Sequence, residues 1–239
     1  MDTTWLSRSE KLIGQQAIEK LNKSHVMIIG LGGVGSYAAE FICRAGVGEM
    51  TIVDGDVVDP TNRNRQLPAL ATNHGISKAE IMADRLMAIN PELKLHVVKE
   101  FIVPETLPTL IERNPDYAID AIDSITPKLA FIKLAFEKKI PWVSSMGAGG
   151  KMDPTQLKVA DISETYHCKL AFYIRKNLRK IGIRSGVKVV FSTEQHDKLS
   201  LLMTDGTHFK KSAYGTISYL PAAFGGVVAS VTIRDLIGK

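Results

Sequence analysis

Residues 25–56 hold a glycine-rich turn between two apolar runs, and this stretch restricts the possible folds more than any other. The apolar run at 26–29 leads into GLGGVG at 30–35, a helical pattern follows, and a second apolar run stops at Asp54. A strand, a glycine turn, a helix, a second strand and an acid, in that order, are typical of a mononucleotide-binding α/β unit. The stretch therefore predicts a nucleotide site near the start of the chain.

The glycines and the acid have separate expected roles. Glycine lets the backbone turn sharply and approach phosphate oxygens where a Cβ would clash, and the N–H groups that open the next helix face a bound phosphate. The acid lies 19 residues after the last glycine of the turn, at the tip of the second strand, where a carboxylate can accept both ribose hydroxyls. The residues predicted to surround the nucleotide here are Gly30, Gly32, Gly33, Gly35 and Asp54.

Strands and helices alternate along the first 145 residues. Apolar runs at 93–98, 117–122 and 140–145 predict three further strands, and the segments between them have helical spacing. One helix is also expected over 7–21, before the first strand. Alternation of this kind is typical of an α/β fold, Rossmann-like and doubly wound, with a mainly parallel sheet.

The alternation ends after the fifth predicted strand, and the rest of the chain is expected to form a mixed C-terminal extension. Strands are predicted at 156–160 and 187–192, on either side of a basic helix at 169–180. We expect a single domain for the 239 residues, with a nucleotide-binding core at about 8–160 and the extension at about 161–239.

The last predicted element is a closing helix at 220–236, which is rich in small residues. Its Gly225 and Gly226 predict close packing on another helix, within the chain or across a dimer. No stretch has the ~18 apolar residues of a membrane span, and the polar N-terminus does not resemble a signal peptide. We therefore expect a cytoplasmic protein that makes no membrane contact.

The composition excludes two kinds of site. With 45% hydrophobic and 23% charged residues, the chain is ordinary for a globular protein with a full core. It has two cysteines, Cys43 and Cys168, and no CxxC motif. A disulfide framework and a four-cysteine zinc site are therefore excluded.

Positive charge is concentrated in one segment. Residues 165–193 contain no acid and carry seven cations, which are Lys169, Arg175, Lys176, Arg179, Lys180, Arg184 and Lys188. Because a solvated helix face usually mixes charges of both signs, this run favours a polyanion partner. The alternative is a solvated basic face close to a phosphate site.

A polar segment of about 20 residues, 55–74, follows the second strand, and loops of this length inside a compact domain are usually functional. With the strand tips, this segment and its surroundings offer Asp56, Asn62, Arg65, Lys78 and Asp123. Two fixed cations would neutralise charge that develops on pyrophosphate, and an acid could hold Mg²⁺. The set favours cleavage of ATP between its α and β phosphates, with Asn62 positioning a phosphate or the attacking carboxylate. Individually, Lys78 could be a surface cation, Asp123 a helix cap and Asn62 a turn residue.

These residues resemble the ThiF/MoeB/HesA group of adenylyltransferases, which are similar to ubiquitin-activating enzymes. The matching pieces are GLGGVGS at 30–36, VDGD at 53–56, NRNRQ at 62–66, GISK at 75–78 and DAID at 120–123. The resemblance covers about residues 8–160. It implies that Asp54 binds ribose, that Arg65 and Lys78 bind the triphosphate, and that Asp123 binds Mg²⁺. It also implies a homodimer in which Arg8 reaches the neighbouring subunit's ATP.

One branch of the group is more similar, the branch that dehydrates threonylcarbamoyladenosine in tRNA. The similar segments are 120–132, 144–165 and the basic helix followed by VVFSTE at 189–194. This resemblance implies ATP-dependent ring closure at position 37 of tRNA through a carboxyl-adenylate, and leaves a sulfurase-type protein partner possible. The anticodon stem-loop would then bind the basic helix through Lys169, Arg175, Lys176, Arg179 and Lys180. Phe172 and Tyr173 could stack on bases, although the pattern favours core positions for them.

Three other functions are compatible with parts of the pattern. An adenylyltransferase for a ubiquitin-like sulfur carrier would need a thiol, for which Cys168 is the candidate. A nucleotide-sensing module without catalysis would use the turn alone. An NAD-dependent dehydrogenase fits Asp54 but has no use for Arg65, Lys78 and Asp123 around the phosphates.

Overall fold

The main sheet has seven strands. A computed structural model describes residues 4–203 and 212–239. The strands are β1 (His25–Ile29), β2 (Glu49–Val53), β3 (Lys94–Val98), β4 (Tyr117–Asp120), β5 (Trp142–Ser145), β6 (Leu157–Asp161) and β7 (Lys188–Ser192). They lie in the order β3-β2-β1-β4-β5-β7-β6, and every neighbouring pair is parallel except β6 and β7. The mainly parallel Rossmann-like sheet with a mixed C-terminal part is therefore confirmed.

Helices cover both faces of this sheet. They are α1 (Ser7–Ile13), α2 (Gln15–Lys23), α3 (Gly35–Arg44), α4 (Lys78–Ile89), α5 (Leu107–Ile111), α6 (Ile125–Lys138), α7 (Lys169–Lys180) and α8 (Tyr219–Ile237). The single helix expected over 7–21 is wrong, because Gly14 has a φ of +89° and separates two helices. A two-stranded sheet of β8 (Leu201–Met203) and β9 (Ser212–Tyr214) was not predicted, since three-residue strands leave no alternating pattern.

The core lies in two layers, one on each face of the sheet. Every residue of β1 is buried, as expected for a central parallel strand covered on both sides. Val26 and Ile28 pack with α3, α4 and α8, whereas Met27 and Ile29 pack with α5, α6 and α7. The alternation of side chains along one strand thus supplies both layers.

Helix α8 packs closely on α3 within the same chain. A Cβ added to Gly225 would lie 2.7 Å from the Val34 carbonyl oxygen and 2.9 Å from the Tyr37 Cβ. Of the two expected partners for this glycine, the helix within the chain is therefore the one observed. Among the described residues α8 is the one helix long and apolar enough to cross a membrane, but half of its apolar window is buried inside the protein.

The carboxyl ends of the parallel strands meet at one edge of the sheet. Gly30 follows β1, Asp54 follows β2 and Asp123 lies three residues after β4. The strand order reverses between β1 and β4, since β2 lies on one side of β1 and β4 on the other. Open α/β sheets bind their ligands in the crevice at this point.

We predict that the close contact between α8 and α3 makes neighbouring glycines differ in their tolerance of substitution. Gly225→Ala should lower the free energy of unfolding by about 1–3 kcal/mol, because the new methyl group overlaps backbone atoms of the adjoining segment. Gly226→Ala is the matched control, since its Cβ would lie 3.7 Å from the Phe41 ring, an ordinary contact. Urea denaturation measures both, and equal stabilities would contradict the packing described for Gly225.

Candidate functional site

A cleft of about 840 Å³ opens at the carboxyl edge of the sheet. The glycine turn, the loop after β2, the loop after β4 and the N-terminus of α7 surround it. Ten of the predicted site residues line it, namely Gly30, Gly32, Gly33, Asp54, Asp56, Asn62, Arg65, Lys78, Asp123 and, from the predicted tRNA-binding set, Lys169. The structure therefore brings together residues that lie far apart in the chain.

The four glycines of the turn have different reasons to be glycine. Gly30 has a φ of +92°, and a Cβ at Gly35 would lie 1.7 Å from the Gly30 carbonyl oxygen. These two are required by the turn itself, and Gly35 does not line the cleft. Gly33 lies against Pro221, whose Cβ would be 2.9 Å from an added Cβ. At Gly32 the nearest protein atom would be 3.8 Å away, so this residue leaves space for a ligand beside the backbone.

The carboxylate of Asp54 joins the tips of β1 and β2. Its Oδ2 accepts a hydrogen bond of 2.6 Å from the Leu31 N–H, and its Oδ1 accepts one of 2.8 Å from the Asp56 N–H. Burial raises the pKa of Asp54 above its ordinary value, while Lys78 and the two backbone hydrogen bonds act in the opposite direction. A carboxylate has about four lone-pair sites, so two remain for ribose hydroxyls.

Lys78 is a buried cation at the first position of α4. It is 4% exposed, and its Nζ lies 2.9 Å from Asp56 Oδ2. A cation in the first turn opposes the helix dipole, so the helix itself does not explain the residue. The ion pair with Asp56 holds the ammonium at the cleft. Because Lys78 is buried, the alternative that it is a surface cation is wrong.

Arg65 and Asn62 come from the polar loop after β2. Arg65 Nη1 donates to the Thr61 carbonyl at 2.9 Å and to Asn64 Oδ1 at 2.8 Å, which fixes the guanidinium in the lining of the cleft. Burial lowers the pKa of Arg65, and Asp123 opposes this effect. Asn62 Oδ1 accepts a hydrogen bond of 3.2 Å from the Asp59 N–H and helps to cap a short 3₁₀ turn. The turn role foreseen for Asn62 is thus present, at the edge of the cleft.

Asp123 is exposed in the loop that leads into α6. A fully buried ion pair beneath that loop was not predicted. Lys128 Nζ donates to Asp120 Oδ2 at 2.7 Å, to Ser144 Oγ at 3.1 Å and to the Ser145 carbonyl at 3.0 Å. Burial lowers the pKa of Lys128, and the attraction of Asp120 opposes this effect. Sequence periodicity gave no signal for Lys128, because a lysine next to an apolar run usually reaches solvent.

Asp120 connects this ion pair to the loop that carries Asp123. Its Oδ1 accepts a hydrogen bond of 3.0 Å from the Ile122 N–H, and its Oδ2 accepts one of 2.6 Å from Ser144 Oγ. The carboxylate therefore connects the end of β4 to the end of β5 and sets the backbone one residue before Asp123.

The end of the cleft away from β2 is lined by Cys168, the candidate thiol of the sulfur-carrier alternative, and by residues that the sequence did not assign to a site. The unassigned residues include Lys151, His196 and Tyr214. Cys168 is 8% exposed and its Sγ accepts a hydrogen bond of 3.5 Å from the Ala171 N–H at the start of α7. Cys43 lies in the core, where burial raises its pKa to about 12. Of the two thiols, only Cys168 lines the cleft.

The basic helix α7 presents four of its five predicted cations to solvent. Lys169, Lys176, Arg179 and Lys180 are exposed. Arg175 is half-buried, and its Nη1 donates to the Thr165 carbonyl at 2.9 Å. The guanidinium of Arg175 thus anchors the segment before α7.

The core positions expected for Phe172 and Tyr173 are wrong. These side chains are 49% and 45% exposed, and their rings meet edge to face with centroids 5.4 Å apart. The buried face of α7 is formed by Ala171, Ile174 and Leu178, at spacings of three and four, which directs the two aromatic residues outward. Of this exposed aromatic pair, Tyr173 lines the cleft, as does the α7 cation Lys169.

Arg8 is exposed on α1 and does not line the cleft of its own chain. A contact between Arg8 and a nucleotide would therefore need a second copy of the chain. The expected homodimer, in which Arg8 reaches the neighbouring subunit's ATP, has this arrangement.

Comparison with known proteins identifies the family and supports the fold. The ThiF family model matches residues 6–239. The tRNA threonylcarbamoyladenosine dehydratase of Escherichia coli K12 is 38% identical, over 96% of this chain and 92% of that protein. The protein of the same name from Bacillus subtilis 168 is 39% identical, over 97% and 94%. The crystal structure of the E. coli dehydratase TcdA in complex with ATP has a TM-score of 0.89 and 36% identity, over 99% of this chain and 95% of that chain. The match extends over nearly the whole sequence, and the chain belongs to the ThiF family.

Proposed function

We propose that this protein is an ATP-dependent tRNA threonylcarbamoyladenosine dehydratase, which closes the side chain of N6-threonylcarbamoyladenosine at position 37 into a ring. One observation carries the proposal. A single cleft joins a glycine turn and a strand-end acid to Arg65, Lys78 and Asp123. Relatives of that name match nearly the full chain.

ATP fits this cleft, with its ribose at Asp54 and its phosphates at the glycine turn and the two cations. Asp54 binds the ribose through its remaining lone pairs, and the open backbone at Gly32 receives a phosphate at the start of α3. Arg65 and Lys78 bind the β and γ phosphates, where their charge stabilises the pyrophosphate that leaves. Both side chains are already fixed by hydrogen bonds or an ion pair. The charges therefore need little reorganisation when the reaction occurs.

Mg²⁺ fits the same end of the cleft. Over the described part of the chain, no group of three or more His, Cys, Asp or Glu residues is arranged to hold a metal. Mg²⁺ commonly binds one or two carboxylates together with substrate phosphates, and the exposed Asp123 supplies one carboxylate beside Arg65. When bound, the ion would neutralise charge on the phosphate oxygens.

The reaction proceeds in two steps on one substrate. The carboxylate of the threonylcarbamoyl group attacks the α-phosphorus of ATP, and pyrophosphate leaves. A ureido nitrogen of the same group then attacks the acyl carbon, loses its proton and expels AMP. Because nucleophile and electrophile belong to one molecule, the effective molarity of ring closure, ~10⁵ M or more, makes a protein nucleophile unnecessary.

We further propose that the anticodon stem-loop lies along α7. The exposed cations Lys169, Lys176, Arg179 and Lys180 can contact phosphates. The exposed rings of Phe172 and Tyr173 can stack on unpaired bases, which is how proteins commonly bind single-stranded RNA. Tyr173 lines the cleft that the modified base would enter.

The assembly is proposed to be a homodimer in which Arg8 contacts the ATP of the neighbouring subunit, and a sulfurase-type protein is a further possible partner. Arg8 is exposed and lies outside the cleft of its own chain, which supports a contact with the neighbouring subunit. Sedimentation of the wild-type protein as a monomer under assay conditions would refute the dimer.

One observation favours a second candidate function. Cys168 lines the cleft, as a thiol in an adenylyltransferase for a ubiquitin-like sulfur carrier would. The chain lacks the CxxC pairs usual in that group. Incubation with ATP, Mg²⁺ and tRNA carrying threonylcarbamoyladenosine separates the two functions. The dehydratase yields a nucleoside lighter by one water together with AMP, and the alternative yields AMP only with a carrier protein ending in Gly-Gly.

We predict that Arg65→Ala and Lys78→Ala each cost about 3 kcal/mol of transition-state stabilisation, as other preorganised charge contacts do. The fall in kcat/KM for the dehydration should be about 100-fold for each. Lys99→Ala is the control, because Lys99 is an exposed lysine whose ion pair is with Glu80. Wild-type turnover in either site variant would refute its role.

We predict that Asp123→Ala abolishes AMP formation while the protein stays folded, because the side chain is exposed at a loop. Asp123→Glu should retain measurable activity with a higher Mg²⁺ requirement, since it keeps the carboxylate at a changed distance. Turnover and thermal unfolding measure the two effects. Full activity of Asp123→Ala would remove the magnesium assignment.

We predict different salt behaviour for the two kinds of residue on α7. Tyr173→Ala should weaken tRNA binding by about 1–3 kcal/mol without changing the salt slope, because base stacking carries no charge. Lys176→Ala should reduce the slope of log K against log salt by about one. Lys138→Ala, at an exposed lysine of α6, should change neither. A tRNA affinity independent of salt would contradict the proposed surface.

A further inference from the structure

The cleft has a second polar corner, beyond the residues assigned to ATP. It is formed by the turn after β5, the N-terminus of α7 and the segment after β7. Lys151 is 3% exposed there, and its Nζ donates to the Ser192 carbonyl at 2.7 Å. An ammonium has three donors, and this is the one hydrogen bond of Lys151 Nζ within residues 4–203 and 212–239. A buried cation thus lines the cleft with unused donors.

Neither of two nearby carboxylates, Glu194 and Asp120, forms an ion pair with Lys151. Glu194 accepts hydrogen bonds from the Met152 N–H at 2.9 Å and the Asp153 N–H at 2.8 Å. Asp120 is paired with Lys128, whose three donors are all used. No ion pair of Lys151 is present in the described residues. Since buried charges in proteins are normally paired, the Lys151 ammonium is suited to bind an anionic group of a ligand.

The surroundings of Lys151 support this interpretation. Burial lowers the pKa of Lys151, while Cys168 and Glu194 act in the opposite direction. Both ring nitrogens of His196 are buried and have no hydrogen-bond partner among the residues that the structure describes. The His196 ring lies against Tyr214, with centroids 5.2 Å apart, and both residues line the cleft. The corner therefore combines a buried cation with a buried imidazole that has no hydrogen-bond partner in the described part of the chain.

We propose that this corner is the subsite for the threonylcarbamoyl group, with Lys151 binding its carboxylate and His196 binding its ureido part. The inference rests on the proposed function and names residues that meet the substrate. The opposite end of the cleft is taken by ribose at Asp54, and the phosphates lie at Arg65 and Lys78. The corner at Lys151 is the part of the cleft left for the acyl group, and a carboxylate supplies the missing charge.

The test compares two forms of one tRNA, carrying at position 37 either threonylcarbamoyladenosine or its methyl ester. The two differ in the charge of the carboxyl group. Binding is measured with a non-hydrolysable ATP analogue present, so that no turnover occurs. The wild-type protein should bind the carboxylate form about tenfold or more tightly, as a charge-assisted hydrogen bond allows. Lys151→Met should remove this preference while the affinity for the ester form stays the same.

Three controls keep the outcome decisive. Lys151→Arg retains the charge and should keep part of the preference. Lys151→Gln, which also removes the charge, replaces Lys151→Met if that variant does not fold. Lys158→Met changes an exposed lysine of β6 and should keep the full preference. Affinity for the ATP analogue should be equal in all variants, because Lys151 is not assigned to ATP.

The outcomes separate this inference from the proposed function. Equal binding of both tRNA forms by the wild-type protein would overturn the subsite, as would a preference that survives in Lys151→Met. Equal loss of affinity for both forms in Lys151→Met would place Lys151 on an RNA phosphate instead. Product formation is measured in parallel with wild-type protein, and its absence would refute the dehydratase function itself.

Discussion

The carboxylate of Asp54 is the contact on which the geometry of the cleft depends. One oxygen holds the Leu31 N–H inside the glycine turn and the other holds the Asp56 N–H at the start of the next loop. Since Asp56 in turn forms an ion pair with Lys78, the same carboxylate fixes both the glycine turn and the position of a buried cation in the cleft. A ligand that binds Asp54 therefore meets charges that are already in place.

The buried ion pair of Asp120 and Lys128 fixes the loop after β4, on the other side of the crevice. Both side chains are fully buried, and removing either partner alone would leave an uncompensated charge, which typically costs 3–5 kcal/mol. The pair joins β4, β5 and α6 and sets the loop that carries Asp123. Two anchored strand ends thus give the cleft fixed walls, and α7 closes it with a basic and aromatic surface.

The turn and the residues that follow it could be predicted because their signal is local. A glycine turn between two apolar runs has few structural solutions, and the acid at the second strand tip belongs to the same unit. The burial of Lys128 and Lys151 and the partial burial of Arg175 could not be predicted from sequence, because a lysine or arginine is normally exposed and its burial depends on distant partners. The exposure of Phe172 and Tyr173 follows from the spacing of the buried face of α7, whereas their residue type alone favours core positions. Gly14 shows the same limit, since one positive φ angle divides a pattern that is continuous in sequence.

We propose that the substrate carboxylate becomes an acyl-adenylate before the ring closes. Isotope transfer tests this step directly, with tRNA whose threonylcarbamoyladenosine carries ¹⁸O in both carboxylate oxygens and with unlabelled ATP and water. We expect the cyclic product to retain one ¹⁸O and the phosphate of AMP to gain the other, in equal amounts. AMP without ¹⁸O, or formation of ADP and phosphate in place of AMP, would show that no acyl-adenylate forms.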